Sequence, residues 1–243
     1  MLGVGAFGRV FRTKNKADST FEVAIKVMDK VKLRDNIDCI MQEVTIMHQL
    51  DHPNIVKYYE TYNDQKYIYL VMEFVSGKQL FEKITEQENQ TFTETTAARY
   101  MKALFNAINH CHSQDIIHRD IKPDNIMITK NDEVKLIDFG LSKATHNNRN
   151  LTTVAGTPYY MAPEVLEGSY SKKADMWSLG VLLYTLVSGY LPFQGNNAPE
   201  VFRKIKEAEY HFNHREFDAV SPECKDLISK LLIVNQKKRL DGN

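Results

Sequence analysis

The stretch His118-Arg119-Asp120-Ile121-Lys122-Pro123-Asp124-Asn125 decides how this chain is read, together with Asp138-Phe139-Gly140 after a short hairpin and Ala162-Pro163-Glu164 beyond that. The hairpin is legible in two strand-like runs, Ile126 to Thr129 and Val134 to Ile137, joined by the turn Lys130-Asn131-Asp132-Glu133. On either side the pattern is helical, over Leu80 to Glu86, Thr93 to Ser113, Lys173 to Ser188, Ala198 to Glu209 and Ser221 to Ile233. The most apolar stretch, Trp177 to Leu191, is interrupted by Ser178, Gly180, Thr185, Ser188 and Gly189, and reads as a buried helix. No apolar run approaches the roughly 18 residues expected of a membrane span.

Upstream of Ser76-Gly77-Lys78 the character changes to short alternating segments. Val10-Phe11-Arg12, the polar run Thr13 to Thr20, and Phe21 to Val27 read as strand, turn and strand. Asn36 to Leu50 sets Ile37, Ile40, Met41, Val44 and Met47 on one helical face, and Asp51-His52-Pro53-Asn54 ends that helix. Ile55 to Tyr62 and Tyr67 to Phe74 are two further strands around the turn Asn63-Asp64-Gln65. The run Lys30-Val31-Lys32-Leu33-Arg34 reads as a solvated loop face. A sheet-rich small lobe over 1–75 and a helix-rich large lobe over 76–243 would leave a cleft between them.

Gly3-Val4-Gly5-Ala6-Phe7-Gly8-Arg9-Val10 fits G-x-G-x-x-G-x-V, in which missing side chains let backbone N–H groups approach phosphate oxygens. Alone, the run is equally a structural glycine turn, or a dinucleotide-binding loop with Glu22 as its ribose acid. The dinucleotide reading requires a helix straight after Gly8, where this sequence reads as a hairpin arm. Val23-Ala24-Ile25-Lys26 then puts a lysine on the next strand, and Glu43 falls on the inward face of the following helix. Taken singly, each is an ordinary solvent-exposed charge.

In this order and setting, these motifs resemble the eukaryotic protein kinase family over essentially the whole chain. The resemblance implies an α+β, bilobal fold: a small antiparallel sheet lobe with one main helix, and a larger helical lobe. It also implies transfer of the γ-phosphate of ATP, with Mg2+, in a reaction where positioning and charge stabilisation supply most of the catalysis. By resemblance, Lys26 contacts the α- and β-phosphates and pairs with Glu43. Asp120 accepts or orients the proton of the attacking hydroxyl, and Lys122 stabilises charge on the transferring group. Asn125 and Asp138 are the metal ligands, hard oxygens of the kind magnesium prefers. The nucleotide would be held by the glycine loop from Leu2 through Gly3, Val4, Gly5, Ala6, Phe7 and Gly8, with Val10 and Ala24 above the base and Met127 below. Met72 resembles the gatekeeper, Glu73-Phe74-Val75 the hinge, and Gln79 a position beside the ribose. Met47, Tyr58, His118 and Phe139 resemble the residues stacked between the lobes. Asp175 resembles the acid that ties down the catalytic loop and Arg239 the partner of Glu164, both architectural.

Lys122 after Asp120, and Thr157 within Gly156-Thr157-Pro158-Tyr159-Tyr160, resemble serine/threonine kinases. Leu186 to Phe193 and Ser221 to Ile228 resemble the calcium/calmodulin-dependent group, its calcium-dependent protein kinases in particular. That group carries an acid in a G-G-E-L-F run; here the run is Gly77-Lys78-Gln79-Leu80-Phe81. A neutral amide cannot supply the charge-assisted pairing that arginine prefers. Thr185 and Tyr159 are uncharged as well, leaving Asp124, so a weak preference for arginine three residues before the acceptor is expected. Thr153, with Thr152 second, is the expected phosphorylation site of the gating loop, where it would pair with Arg119. An unmodified polar loop is the other reading of that segment.

Composition narrows the remaining classes. Basic and acidic residues number 31 each, so no global positive field draws the chain to nucleic acid or anionic membrane. Hydrophobic residues at 43% and charged residues at 26% are those of an ordinary folding domain. Cys39, Cys111 and Cys224 lie far apart without a C-x-x-C pair, which argues against a disulfide framework and for a reducing, cytoplasmic setting. His110, His112 and His118 surround Cys111, but no second ligand pair has zinc spacing. The first residues lack the basic and apolar regions of a secretory signal. Expected partners are protein substrates with Ser/Thr acceptors. No D-x-D-x-D-G loop with a terminal Glu occurs, so a calcium-binding regulatory module or calmodulin would act from outside this chain. Against the kinase pattern the chain looks short at both ends, and an apolar patch is expected where a last helix would pack. An inactive kinase-fold scaffold is the alternative; the complete set of Lys26, Asp120, Asn125 and Asp138 argues against it.

Overall fold

A computed structural model of the chain describes residues 1–5, 8–33, 37–138, 159–169 and 171–242; the side chains at 38, 39, 42, 43 and 46 lie outside that description. Strands β1 (Gly3–Gly5), β2 (Gly8–Lys14), β3 (Glu22–Asp29), β4 (Tyr58–Asn63) and β5 (Tyr67–Glu73) form an antiparallel sheet in the order β1-β2-β3-β5-β4. Alternation decides which face turns inward: along β5, Ile68, Leu70 and Met72 are buried, while the residues between them are not. Helices α1 (Lys30–Leu33) and α2 (Ile37–Gln49) follow β3, and α2 adds Ile40, Val44 and Met47 to the same core at helical spacing.

The glycine run is a hairpin: Gly3 lies opposite Val10 and Gly5 opposite Gly8. Gly8 opens a strand, so the helix that a dinucleotide-binding loop requires there is absent. A Cβ on Gly8 would stand 2.1 Å from the Val27 carbonyl oxygen, so only glycine lets β2 approach β3 at this point. The basic run at 30–34, expected as a solvated loop, instead begins with α1, because Leu33 is buried and turns the run onto the core. Ile55 and Val56 also depart from expectation. They are buried and cross to the second sheet before β4 begins at Tyr58, with the Val56 N–H donating to the Leu136 carbonyl at 2.9 Å.

The large lobe opens with β6 (Gly77–Gln79), which pairs with β7 (Ile126–Thr129), itself paired with β8 (Val134–Leu136). Among the helices of the described residues are α3 (Leu80–Thr85), α4 (Glu94–Ser113), α5 (Pro163–Leu166), α6 (Lys172–Ser188), α7 (Ala198–Glu207) and α8 (Pro222–Leu231). Side chains cap the starts of α4, α7 and α8: Thr93 accepts the N–H of Thr96, Asn197 that of Glu200 and Ser221 that of Cys224. Helix α7 stops short of Glu209 because Ala208 takes φ 49° and caps it in the left-handed conformation. Helix α6 is buried on all sides from Ala174 to Ser188, and Trp177 stacks on Phe193 at 5.4 Å. Helices α4, α6 and α8 leave an apolar groove of about 390 Å³ between Met101, Phe105, Leu183 and Leu227. No helix among the described residues is long and apolar enough to cross a membrane.

Candidate active site

The centre of the cleft is built on a buried carboxylate. Asp175, in α6 and 1% exposed, accepts the backbone N–H groups of His118 and Arg119, each at 2.9 Å, and lies 2.8 Å from His112 Nε2. A buried charge is tolerated only when hydrogen-bonded in this way, and the bonds fix the loop that follows α4. Arg119 takes φ 72°, a left-handed conformation unusual for a residue with a side chain. The turn is closed by the Asp120 N–H, which donates to His118 Nδ1 at 3.3 Å. His118 is fully buried; burial holds its imidazole below the usual histidine range, against the opposing pull of Asp175, Asp120 and Asp138.

Asp120 is thereby presented with its carboxylate surrounded by donors. Lys122 Nζ lies 2.8 Å from Oδ2 and 3.0 Å from Oδ1, and Asn125 Nδ2 donates to Oδ2 at 2.7 Å and to the Asp120 carbonyl at 2.8 Å. The Asn125 nitrogen is committed to Asp120, which leaves the amide oxygen as the atom suited to a cation. Asp138 follows β8, and its Oδ1 stands 3.3 Å from Lys26 Nζ of β3, across the cleft. Lys26 was expected to pair with Glu43; its described partner is Asp138, and the Glu43 side chain lies outside the described residues. Asn125 and Asp138 offer one neutral and one anionic hard oxygen, a set that fits a divalent cation sharing its remaining positions with phosphate and water. Among the described residues no cluster of three or more His, Cys, Asp or Glu side chains could hold a metal ion.

The residues expected to hold a nucleotide fall on both sheets. Ala24 pairs with Met72 across β3 and β5, Val10 with Lys26 across β2 and β3, and Gln79 with Met127 across β6 and β7. These registers place the expected roof and gatekeeper in the first sheet and the expected floor in the second. Gly3, Val4, Gly5 and Gly8 are in the β1–β2 hairpin, where the Leu2 N–H donates to the Val10 carbonyl at 2.8 Å. Gln79, expected beside the ribose, donates through Nε2 to the Asp124 carbonyl at 3.1 Å, which ties β6 to the loop that carries Asp120. Val75, half-buried, follows Glu73 in the connection between lobes. Ala6, Phe7, Phe139, Thr152, Thr153 and Thr157 lie outside the described residues.

The histidines around Cys111 diverge. His110 meets His52 in a tilted ring contact with centroids 5.3 Å apart, His112 meets Asp175, and His118 accepts the Asp120 N–H. Burial pushes the Cys111 thiol up to about 12, the condition of a packed thiol and not of a metal-binding thiolate. Glu164 and Arg239 form the expected buried pair, with Nη1–Oε1 at 2.7 Å and Nη2–Oε2 at 3.0 Å. Two contacts had no signal in sequence spacing: His112 with Asp175, and Lys135 of β8 with Glu73 at 2.9 Å.

Comparison with known proteins follows the same lines. Residues 1–242 match the family described as the protein kinase domain. The chain is 42% identical to calcium-dependent protein kinase 5 of Plasmodium berghei, over 99% of its own length and 42% of that protein's. With calcium-dependent protein kinase 3 of Plasmodium yoelii yoelii it shares 41% identity, over 100% of its own length and 45% of the relative's. Myosin light chain kinase A of Dictyostelium discoideum is 41% identical over 99% of this chain and 82% of that protein. The chain thus spans less than half the length of the calcium-dependent relatives it matches.

Proposed function

The chain belongs to the protein kinase domain family, and on that premise we propose that it transfers the γ-phosphoryl group of ATP, with magnesium, to serine and threonine hydroxyls of protein substrates. The observation that carries the reading is the Asp120 carboxylate held by Lys122 and Asn125, together with Asp138 of the same lobe paired to Lys26 from the other. Asp120 draws the proton from the acceptor hydroxyl, and Lys122 is close enough to neutralise charge on the group in flight. Lys26 meets the phosphates. Asn125 and Asp138 would hold magnesium, which would supply positive charge against the phosphate oxygens. Leu2, Gly3, Val4, Gly5, Gly8, Val10, Ala24, Met72, Glu73, Val75, Gln79 and Met127 surround the nucleotide.

Calcium regulation, which the names of the Plasmodium relatives state for those proteins, is proposed here through a calcium-binding module or calmodulin distinct from these 243 residues. One experiment covers acceptor, metal and substrate preference: phosphorylation of a positional Ser/Thr peptide library. Transfer to both residues is expected, supported by magnesium, abolished by a general chelator and indifferent to calcium itself. Arginine three residues before the acceptor should be favoured only a few-fold, because Gln79 is neutral and already bonded to Asp124. A strict arginine requirement would contradict the specificity reading, and tyrosine-only transfer the acceptor reading.

Regulation by phosphorylation is proposed at Thr153, with Thr152 second, through Arg119, whose backbone is fixed by Asp175. Thr153→Ala is expected to show a rate at least tenfold below that of the phosphorylated chain, since ordering such a loop completes the peptide site. Equal rates would remove the switch.

A further inference from the structure

Val134-Lys135-Leu136 is a short strand whose outer residues are buried, while Lys135 turns the other way with 16% of its side chain exposed. Lys135 Nζ lies 2.9 Å from Oε2 of Glu73, the first residue of the connection between the lobes. The same oxygen accepts the Lys57 N–H at 3.1 Å, and the Glu73 N–H donates to the Lys57 carbonyl at 2.8 Å. On the other side, the Leu136 N–H donates to the Asn54 carbonyl at 2.9 Å and Asn54 Nδ2 to the Val134 carbonyl at 2.9 Å. These bonds close a ring through the start of the hinge, the 54–57 crossing and β8. Past β8 the chain runs through Ile137 to Asp138, which meets Lys26.

We propose that Lys135 is a positioning residue for the nucleotide: through Glu73 it fixes the hinge backbone relative to β8, and so sets the span between the adenine end and the Lys26–Asp138 phosphate end of the cleft. Lys135 acts through Glu73 and is not itself assigned to the nucleotide. Its action is to hold two segments at one spacing, and an ion pair with both side chains mostly covered is screened less than one in open water. Burial, His110 and Lys135 itself hold the His52 imidazole below the usual histidine range. A hinge that drifts relative to β8 binds adenine and phosphates less well together, because each must then be satisfied at the expense of the other.

The inference rests on the kinase reading for the identity of the nucleotide, and its test separates the two. ADP affinity is measured by calorimetry on the full chain, alongside KM for ATP and kcat. Lys135→Ala is expected to raise the ADP Kd and the ATP KM about three- to fivefold, the scale of a partly exposed ion pair, with kcat within about twofold. Glu73→Gln should raise them to a similar degree, and the double variant should be no worse than either single one. Lys135→Arg keeps the charge and should return Kd towards the wild-type value. If Lys135→Ala does not fold, Lys135→Met, which keeps the apolar stem, is read in the same way. Unchanged Kd and KM, additive single effects, or a fall in kcat at constant Kd would overturn the assignment. A wild-type chain that binds ADP but transfers no phosphate defeats the kinase reading, while the Kd comparison still decides on Lys135. One that binds no adenine nucleotide overturns both.

Discussion

Asp120→Asn is expected to lower kcat for peptide phosphorylation by about 10²- to 10⁴-fold, the range in which a positioned proton acceptor contributes. The amide is nearly the same size as the carboxylate. Its oxygen can take the Oδ2 position and still accept from Lys122 and Asn125, which both reach that atom. What disappears is the negative charge and basicity beside the acceptor hydroxyl. Because the site is half-exposed and its donors stay partnered, the melting temperature should move by only about a degree or two, as for surface substitutions. KM for ATP should stay within a few-fold, since Asp120 is not among the groups assigned to the nucleotide. Initial rates at saturating ATP, with a thermal melt of the same sample, separate a chemical loss from a folding one. A variant retaining more than a tenth of wild-type kcat would remove Asp120 from the chemistry.

Arg239→Ala should produce the largest loss of stability. Arg239 is 2% exposed and Glu164 7%, and the guanidinium meets the carboxylate through two parallel bonds. It also donates to the carbonyls of Ile233 and Lys173, each at 2.8 Å, and lies 5.0 Å over the Trp177 ring. Truncation leaves a buried carboxylate and three carbonyls, that of Val234 at 3.3 Å included, without these donors, which costs about 3 to 5 kcal/mol. For a domain of this size that is a fall in melting temperature on the order of 10 °C. The pair is not itself a large source of stability. Replacing both partners, as Glu164→Leu with Arg239→Met, should therefore recover part of the loss, because the uncompensated charge is then gone. A melt of Arg239→Ala within about 2 °C of wild type would contradict the burial described here, that being the shift a change near 0.5 kcal/mol produces.

The fold was readable in the sequence wherever burial follows a fixed period. The alternating β5 segment and the α2 face announce themselves because their side chains repeat at the spacing of their element, and α6 by its long, mostly apolar run. Where a single residue or a backbone bond decides, the reading fell short. Leu33 pulls a basic run onto the core, and Gly77 to Gln79 become a strand only because β7 is there to pair with them. Ile55 and Val56 look like the start of β4, yet they serve the other lobe.

The candidate site shows the same division. Asp120, Lys122 and Asn125 are close in sequence, and a rigid turn brings them together, so their grouping is local and legible. Lys26 and Asp138 are far apart in the chain, and only the resemblance to a known family placed them in one cleft. Contacts such as Lys135 with Glu73 and His112 with Asp175 had neither aid. Each joins ordinary-looking residues across the fold, and nothing in the sequence around them marks the pairing.

The most direct measurement is single-turnover transfer of labelled γ-phosphate from magnesium ATP to a peptide carrying Ser and Thr, run with the wild-type chain and with Asp120→Asn. The expected result is labelled phosphoserine and phosphothreonine from the wild type, slowed at least 100-fold by the substitution while ATP binding persists. Wild-type chain that binds ATP yet transfers nothing, or equal transfer by both proteins, would contradict the assignment of this cleft as a phosphoryl-transfer site.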